Sequence, residues 1–551
     1  MSTTNLPNPI NPKYLAAIDM GTNSFKMLIV RAEPNGKFLP IHRLKESVIL
    51  GQGMNSTPHS SITHESQHRA ILALHKFRNF LDTQHHLDHT KFVATSAVRE
   101  AVNKAEFLSK VEQETSCKVE VLSGEDEARF VYKGILQFLP VYDKTVLTVD
   151  IGGGSTEFVI GKQGEVMFAV SLKLGHVSLT ERFVKNGDID GMRKYIRKVI
   201  LESGLVDKVR GIGFDVAVGS SGTIRGIERA VFLGYAEDLM SVVTSYSDLR
   251  RKWSFSRKEL DHVSEKLCGC EGNEEELGRR TSVFKRRSEF ILAGAVLLSC
   301  IFEMLNIEEM EVSEYALGEG VIADILSQCS EDYDVNANAR WRSVVRVATR
   351  FHSNKRMKSA TCCVGIARDI FAGLRKINEH HNHSNKHAFQ LDAKDLEYLE
   401  AACLLHNLGQ YIGKKGYHKQ SYHIIKNGDY LQGYSSEDVE LVALLARHHR
   451  KKIPKPDHSS LHVFSDEVKE KFRILCAIVR VSVAVQQCPC MTFQSLETSD
   501  YPEGFKLILS ESCDQATDHT HSTMKVVEEG LKVELDHFEK VFNTKMSVVI
   551  S

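Results

Sequence analysis

Two short segments hold the residue types that handle phosphate. Ile18-Asp19-Met20-Gly21-Thr22-Asn23-Ser24 and Val149-Asp150-Ile151-Gly152-Gly153-Gly154-Ser155 each read as an apolar strand ending in Asp-x-Gly, a turn of small residues closing on Ser, and a second apolar strand. Small residues let backbone N–H groups and hydroxyls approach phosphate oxygens closely, and an Asp at a strand end can hold a divalent metal ion or its bound water. The expected phosphate contacts are Asp19, Gly21, Thr22, Asn23 and Ser24 in one copy and Gly152, Gly153, Gly154 and Ser155 in the other, with Asp150 and Asp19 next to the metal. A single Asp-x-Gly turn is ordinary hairpin chemistry. Two copies that stay in register through the flanking strands indicate internal duplication, with a site in the cleft between the halves.

Between the copies lies Ser123-Gly124-Glu125-Asp126-Glu127-Ala128-Arg129, a turn followed by an acidic helix start. Acidic residues in a first turn complement the helix dipole, which accounts for part of this pattern. Beside Asp19 and Asp150, a carboxylate here can deprotonate a water for in-line attack on a phosphoryl group while a divalent ion bridges from the aspartates; Glu127 is the general-base candidate. Thr95-Ser96-Ala97-Val98-Arg99-Glu100 follows the strand Phe92 to Ala94. That puts Arg99 at a strand end facing the cleft, where a guanidinium neutralises phosphoryl oxygens. The plain alternative is a surface ion pair with Glu100 or Glu106. Gly219-Ser220-Ser221-Gly222-Thr223, between an apolar strand and a helix, offers Ser221, Gly222 and Thr223 as further donors, or simply a capped tight turn.

Residues 14–142 alternate strand patterns near 14–20, 25–32, 38–49 and 91–95 with helical patterns near 64–83, 104–115 and 124–136, which predicts an α/β domain. Residues 143–327 repeat the plan, with strands near 145–150, 156–161, 165–171 and 214–219 and helices near 176–184, 191–205, 256–267 and 287–305. The polar stretch 328–339 reads as a linker, 340–490 as a helical domain and 491–551 as a small α+β domain. Residues 1–13 read as a disordered lead, without the apolar stretch of a signal peptide.

At 551 residues and 62.0 kDa the chain exceeds a single core. It has no 18-residue apolar run, which argues against a membrane-spanning role or a membrane partner. A net charge of −1 gives no global field for nucleic acid, and no specific nucleic-acid partner is expected. Local basic clusters stand at Arg250-Arg251-Lys252, Arg279-Arg280, Lys285-Arg286-Arg287 and Arg447 to Lys452. Cys300, Cys403 and Cys476 fall in apolar helical stretches, as small hydrophobes do in a reducing compartment, so disulfides are not expected and the location is read as cytoplasmic. Cys268-Gly269-Cys270 and Cys488-Pro489-Cys490 lack the spacing of a structural zinc site.

Taken together, these motifs resemble the exopolyphosphatase / guanosine pentaphosphate phosphohydrolase (Ppx/GppA) family of the actin and sugar-kinase superfamily. The residues that carry the resemblance are Ala17 to Phe25, Thr95 to Arg99, Ser123 to Arg129, Asp150 to Glu157 and Gly219 to Thr223, in the family's order. The resemblance implies an α/β fold of two ribonuclease-H-like domains around a cleft, hydrolysis of a terminal phosphoanhydride with Mg²⁺ or Mn²⁺, Glu127 at the catalytic-base position, Glu157 joining Asp150 and Asp19 at the metal, and a homodimer. The basic clusters and the four-domain length point to inorganic polyphosphate as the substrate, with pppGpp as the second choice in the same chemistry. A non-hydrolytic phosphate-ligand sensor and a sugar-kinase-like phosphotransferase are the readings from other classes. Ser313-Glu314-Tyr315-Ala316-Leu317-Gly318-Glu319-Gly320 resembles the family's Ala-Leu-Arg-Glu-Gly segment with Gly318 in place of Arg, which removes a cation there. Arg287-Ser288-Glu289, opening a helix, resembles Arg-Ala-Asp.

The helical region resembles the HD-type domain of longer relatives through Leu404-Leu405-His406-Asn407-Leu408-Gly409, Gly416 to Ile425 and Arg447 to Lys451. Asn407 stands where a metal-binding Asp belongs, and the helix Ile474 to Ala484 supplies Arg480 but no Asp, which predicts a metal-free relic. His406, His418, His423, His448 and His449 are then packing groups or a basic rim. Lys414-Lys415 and Arg447 to Lys452 form a candidate track for a long polyanion.

Overall fold

The computed structural model describes residues 12–54, 60–83, 87–237, 253–269, 274–381, 391–450, 452–455, 457–488, 491–498, 504–511 and 520–550. The lead 1–11, the cluster Arg250-Arg251-Lys252, Lys451, Cys270 and Pro489-Cys490 lie outside them. The described residues form two compact units, the first made of those between 12 and 237 and between 253 and 338, the second of those from Ala339 onward.

The first unit is built on two sheets that share one plan. Strands β1 (Lys13–Met20), β2 (Ser24–Ala32), β3 (Phe38–Ser47), β4 (His89–Ala94) and β5 (Val119–Val121) lie in the order β3-β2-β1-β4-β5. Strands β6 (Val146–Ile151), β7 (Thr156–Lys162), β8 (Glu165–Leu172), β9 (Val216–Ser220), β10 (Ser254–Ser256) and β11 (Glu309–Val312) lie in the order β10-β11-β9-β6-β7-β8. With β10 as an added edge, the two sheets match strand for strand. In each, an antiparallel three-strand meander is continued by parallel strands on the far side of its first strand. The duplication seen in the Asp-x-Gly turns therefore extends to whole sheets.

Each sheet has its own apolar core. Ile18, Met27, Phe77 and Phe107 belong to the first, and Val149, Phe158, Ile196 and Leu297 to the second. The helix Ile291–Leu305 is apolar on nearly every face because it runs through the second core; no single described helix is long and apolar enough to cross a membrane. The helix Gly124–Leu136 crosses the helix Leu317–Cys329 at very close range. A Cβ at Gly134 would lie 2.0 Å from the Ala316 oxygen, and one at Gly320 would lie 1.8 Å from the Phe130 oxygen. That contact fixes the helix that presents Glu127.

Some expected elements end elsewhere. The helix expected from 287 starts at Ile291, and Lys285–Arg287 is instead a single 3₁₀ turn, so Arg287 does not open the helix. β3 stops at Ser47 because Val48 and Ile49 turn their N–H groups onto the Asn23 oxygen, with Ile49 at φ 46°. Arg99 sits on a short helix, Ser96–Glu100, after β4.

In the second unit the helices Ala339–Phe351, Asn354–His381, Ala393–Leu405, Tyr417–Asn427, Ser436–His448 and Asp466–Gln486 are followed by strands β12 (Met491–Thr498), β13 (Phe505–Glu511) and β14 (Met546–Ile550) and the helix Thr520–Phe542. β13 pairs antiparallel with β12 and parallel with β14. Arg480 ties two of the helices together with a two-pronged ion pair to Glu534, at 2.6 and 2.7 Å, and donates to the His448 oxygen at 3.0 Å.

Candidate active site

The two turns face one another across the cleft of the first unit. In the first, Asp19 lies opposite Lys26 in the β1–β2 register; in the second, Asp150 lies opposite Glu157 in the β6–β7 register. Lys26 and Glu157 thus occupy equivalent positions of the repeat with opposite charge. Lys26 Nζ donates to Asp19 Oδ2 at 3.0 Å, and its pKa is raised by Asp19, with Asp150 adding to the effect. Gly154 is where the halves touch: a Cβ there would lie 2.6 Å from Ser96 Oγ and 3.1 Å from Thr22 Oγ1. The second turn is closed by a Gly152 N–H bond to the Ser155 oxygen, 2.9 Å long.

Glu127 comes from the first turn of its helix. The Ser123 hydroxyl caps that helix by accepting from the Asp126 N–H, which points Asp126 and Glu125 to solvent and Glu127 inward. The acidic start therefore divides into capping residues and one buried carboxyl. Arg99 Nη1 donates to Glu127 Oε2 at 2.8 Å and to the Leu122 oxygen at 3.1 Å. Burial pushes the Glu127 pKa up to about 7; the Arg99 guanidinium opposes the shift, and Asp19 and Asp150 add to it. Burial also raises Asp150, against the pull of Lys26 and a 2.8 Å hydrogen bond from Ser220 Oγ. Glu157 is held well above the usual carboxylate range by burial, then by Glu127 and Asp150, while Ser171 Oγ donates to its Oε1 at 2.8 Å. Asp19, Asp150, Glu127 and Glu157 thus form one carboxylate group close enough to feel each other's charge.

The third turn adds cations. Ser221, at φ 98°, begins the helix Ser221–Phe232, a strained position for a non-glycine residue and typical of functional turns. A Cβ on Gly222 would lie 2.4 Å from Arg287 Nη2, so glycine is what lets that guanidinium lie over the turn. Thr223 packs on Gly294. Lys45 lies opposite Lys26 in the β2–β3 register. Its pKa is lowered to about 8 by desolvation and then by Arg287, Lys26, Arg225 and Arg286. Neither Lys45 nor Arg287 makes an ion pair with a described residue. Lys26 is neutralised by Asp19, so Lys45 and Arg287 are the cations of this neighbourhood left to meet an anion. Near Gly318, where the sequence loses a cation, Arg43 pairs with the buried Glu319 at 2.5 Å.

Of the candidates read from the sequence, Thr22, Ser96, Gly153 and Gly154 meet where the halves touch, Arg99 pairs with Glu127, and Thr223 packs on Gly294. Lys26, Lys45 and Ser220 were missed. The signal for Lys26 lay in the repeat, as the charge-reversed counterpart of Glu157; Lys45 needed the β2–β3 register.

In the second unit His406, Asn407, His418 and His449 are buried. Burial lowers the His406 pKa to about 4, that of His448 to about 4 and that of His449 well below its usual value, so these rings are uncharged at neutral pH and form no basic rim. His423 stays exposed. Arg447 and Arg450 lie over the Tyr422 and Tyr417 rings. Among the described residues, no three His, Cys, Asp or Glu side chains converge as a metal site in either unit.

Two facing small-residue turns, a buried carboxyl whose pKa is raised to about 7 and a guanidinium beside it are the parts of a phosphoryl-transfer enzyme built on a duplicated sheet. The profile of the Ppx/GppA phosphatase family matches residues 28–329, and the profile of that family's domain III matches 339–535. A guanosine-5'-triphosphate,3'-diphosphate pyrophosphatase of Photobacterium profundum is 30% identical over 455 residues, covering 81% of this chain and 82% of the relative. An exopolyphosphatase of Cytophaga hutchinsonii aligns in structure at 26% identity over 58% of this chain and 100% of its own, with a TM-score of 0.49. The Aquifex aeolicus Ppx/GppA family member aligns at 26% identity over 57% and 99%, with a TM-score of 0.46. The chain belongs to the Ppx/GppA phosphatase family, hydrolases that act on phosphoanhydride bonds.

Proposed function

We propose that this chain removes terminal phosphates from inorganic polyphosphate, with Glu127 as the general base. The observation that carries this reading is the buried Glu127 carboxyl, poised near pH 7 between the two phosphate turns and held by Arg99. A water beside Glu127 attacks the terminal phosphorus and loses its proton to the carboxylate. The bridging P–O bond breaks, and orthophosphate leaves with a chain one phosphate shorter. Backbone and hydroxyl donors of residues 21–24, 152–155 and 220–222 orient the terminal phosphate, and Arg99 balances charge on its oxygens. Lys45 and Arg287, which make no ion pair with a described residue, are suited to the phosphates behind it.

The carboxylates present fit a magnesium ion held mainly by its substrate. With no three protein ligands converging among the described residues, it would be held by Asp150, with Asp19 and Glu157 near, and by substrate oxygens and water, as Mg²⁺ usually is. When bound it would neutralise charge on the bridging oxygens. The pyrophosphatase name of the Photobacterium relative favours pppGpp as a second reading with the same chemistry.

We also read the second unit as HD-like and metal-free, supported by Asn407 at the acidic position and by uncharged histidines. The nine cysteines identified as free support a cytoplasmic setting, and family resemblance suggests a homodimer. The test is phosphate release from long-chain polyphosphate and from pppGpp with Mg²⁺, wild type beside Glu127→Gln. Release that vanishes in the variant supports the reading, and the better substrate assigns the specificity. A wild type that releases phosphate from neither would overturn it.

A further inference from the structure

Arg99 answers to two carboxylates. Its Nη1 donates to Glu127 and to the Leu122 oxygen, while its Nε lies 3.5 Å from Glu100 Oε1. Nη2 makes no hydrogen bond to a described residue. Glu100 is occupied on its other oxygen as well: Lys173 Nζ sits 2.5 Å from Oε2. Lys173 belongs to the other half of the cleft. It follows β8 and stands two residues before Gly175, whose neighbour His176 donates its N–H to the Gly152 oxygen of the second phosphate turn. A chain of alternating charges thus runs from the second half through Lys173, Glu100 and Arg99 to Glu127.

We propose that Glu100, held from the opposite half by Lys173, is a positioning residue that fixes the Arg99 guanidinium between the Glu127 carboxyl and the phosphoryl group. A guanidinium is a rigid planar fork, so anchoring Nε and Nη1 leaves only Nη2 to turn toward the ligand. Glu100 also divides the Arg99 charge. With both carboxylates in place, Arg99 cannot give its full pull to Glu127, which keeps that carboxyl basic enough to take a proton from water. The charged groups facing Glu127 are Arg99, Asp19, Asp150 and Glu157, and those facing Glu100 are Arg99 and Lys173. Lys173 tunes the device in the opposite sense, since it draws the Glu100 charge away from Arg99.

This inference rests on Glu127 as the base, and the experiment separates the two ideas. The pH profile of kcat/KM is measured for the wild type, Glu100→Gln, Lys173→Met and Glu127→Gln, on whichever of long-chain polyphosphate and pppGpp the wild type hydrolyses better. Glu100→Gln should lower kcat about tenfold with KM changed less than about twofold, because the lost interaction acts in the transition state. Its acid limb should move to lower pH, as Arg99 falls wholly to Glu127. The acid limb of Lys173→Met should move to higher pH. Glu100→Asp should recover part of the lost kcat. Glu100 is about one-third exposed and Lys173 more so, so the variants should fold as the wild type does. Acid limbs that stay in place in both variants, or move in the same direction, overturn the proposal while leaving Glu127 as base. An active Glu127→Gln overturns both.

Discussion

Replacing Glu127 by Gln should remove catalysis and make the protein more stable at alkaline pH. An acid whose pKa is raised on folding, here from 4.5 to about 7, favours the native state while protonated. Its contribution is fully present below about pH 4.5 and is lost as pH rises through about 7. Each pKa unit corresponds to about 1.4 kcal/mol, so ionised Glu127 costs the fold about 3 kcal/mol at pH 8.5. Glutamine has nearly the same shape and no charge to bury. Thermal unfolding followed at pH 5 and pH 8.5 should therefore give nearly equal midpoints at the lower pH. At the higher pH the variant should melt about 6 °C above the wild type, taking about 2 °C per kcal/mol for a unit of this size. Phosphate release measured on the same samples should fall at least about a hundredfold. A variant that melts below the wild type at pH 8.5, or by the same margin at both pH values, would refute the account of Glu127 as a carboxyl strained by burial.

Two further substitutions test other parts of the site and the second unit. Gly222→Ala places a methyl where the Arg287 guanidinium lies; because that group ends a flexible side chain, the fold should tolerate it, and KM should rise about tenfold or more through the lost charged contact, read by initial-rate kinetics. Asn407→Asp should lower the thermal midpoint by several degrees, since it buries a carboxyl next to the uncharged His406, and Mn²⁺ should not restore it if the second unit holds no metal.

The sequence by itself determined the duplication, most of the strands and long helices of the first unit, and the identity of the turns that face the cleft. These are local properties: Asp-x-Gly turns need glycine and small residues at fixed offsets, and the strands and helices carry their period in the order of apolar residues. It also singled out Glu127 and Arg99, because both stand at element ends between two Asp-x-Gly turns, although helix-dipole and ion-pair roles were open to each. Only the tertiary structure decided which of three consecutive acidic residues is buried, since helix capping by Ser123 turns Glu125 and Asp126 outward. It alone brought Lys45 opposite Lys26, seated Arg287 over Gly222 in a 3₁₀ turn, and joined Lys173 to Glu100 across the cleft. These pairings depend on register and on the crossing of elements distant in the chain, and charges acquire their effect only where folding removes the water between them.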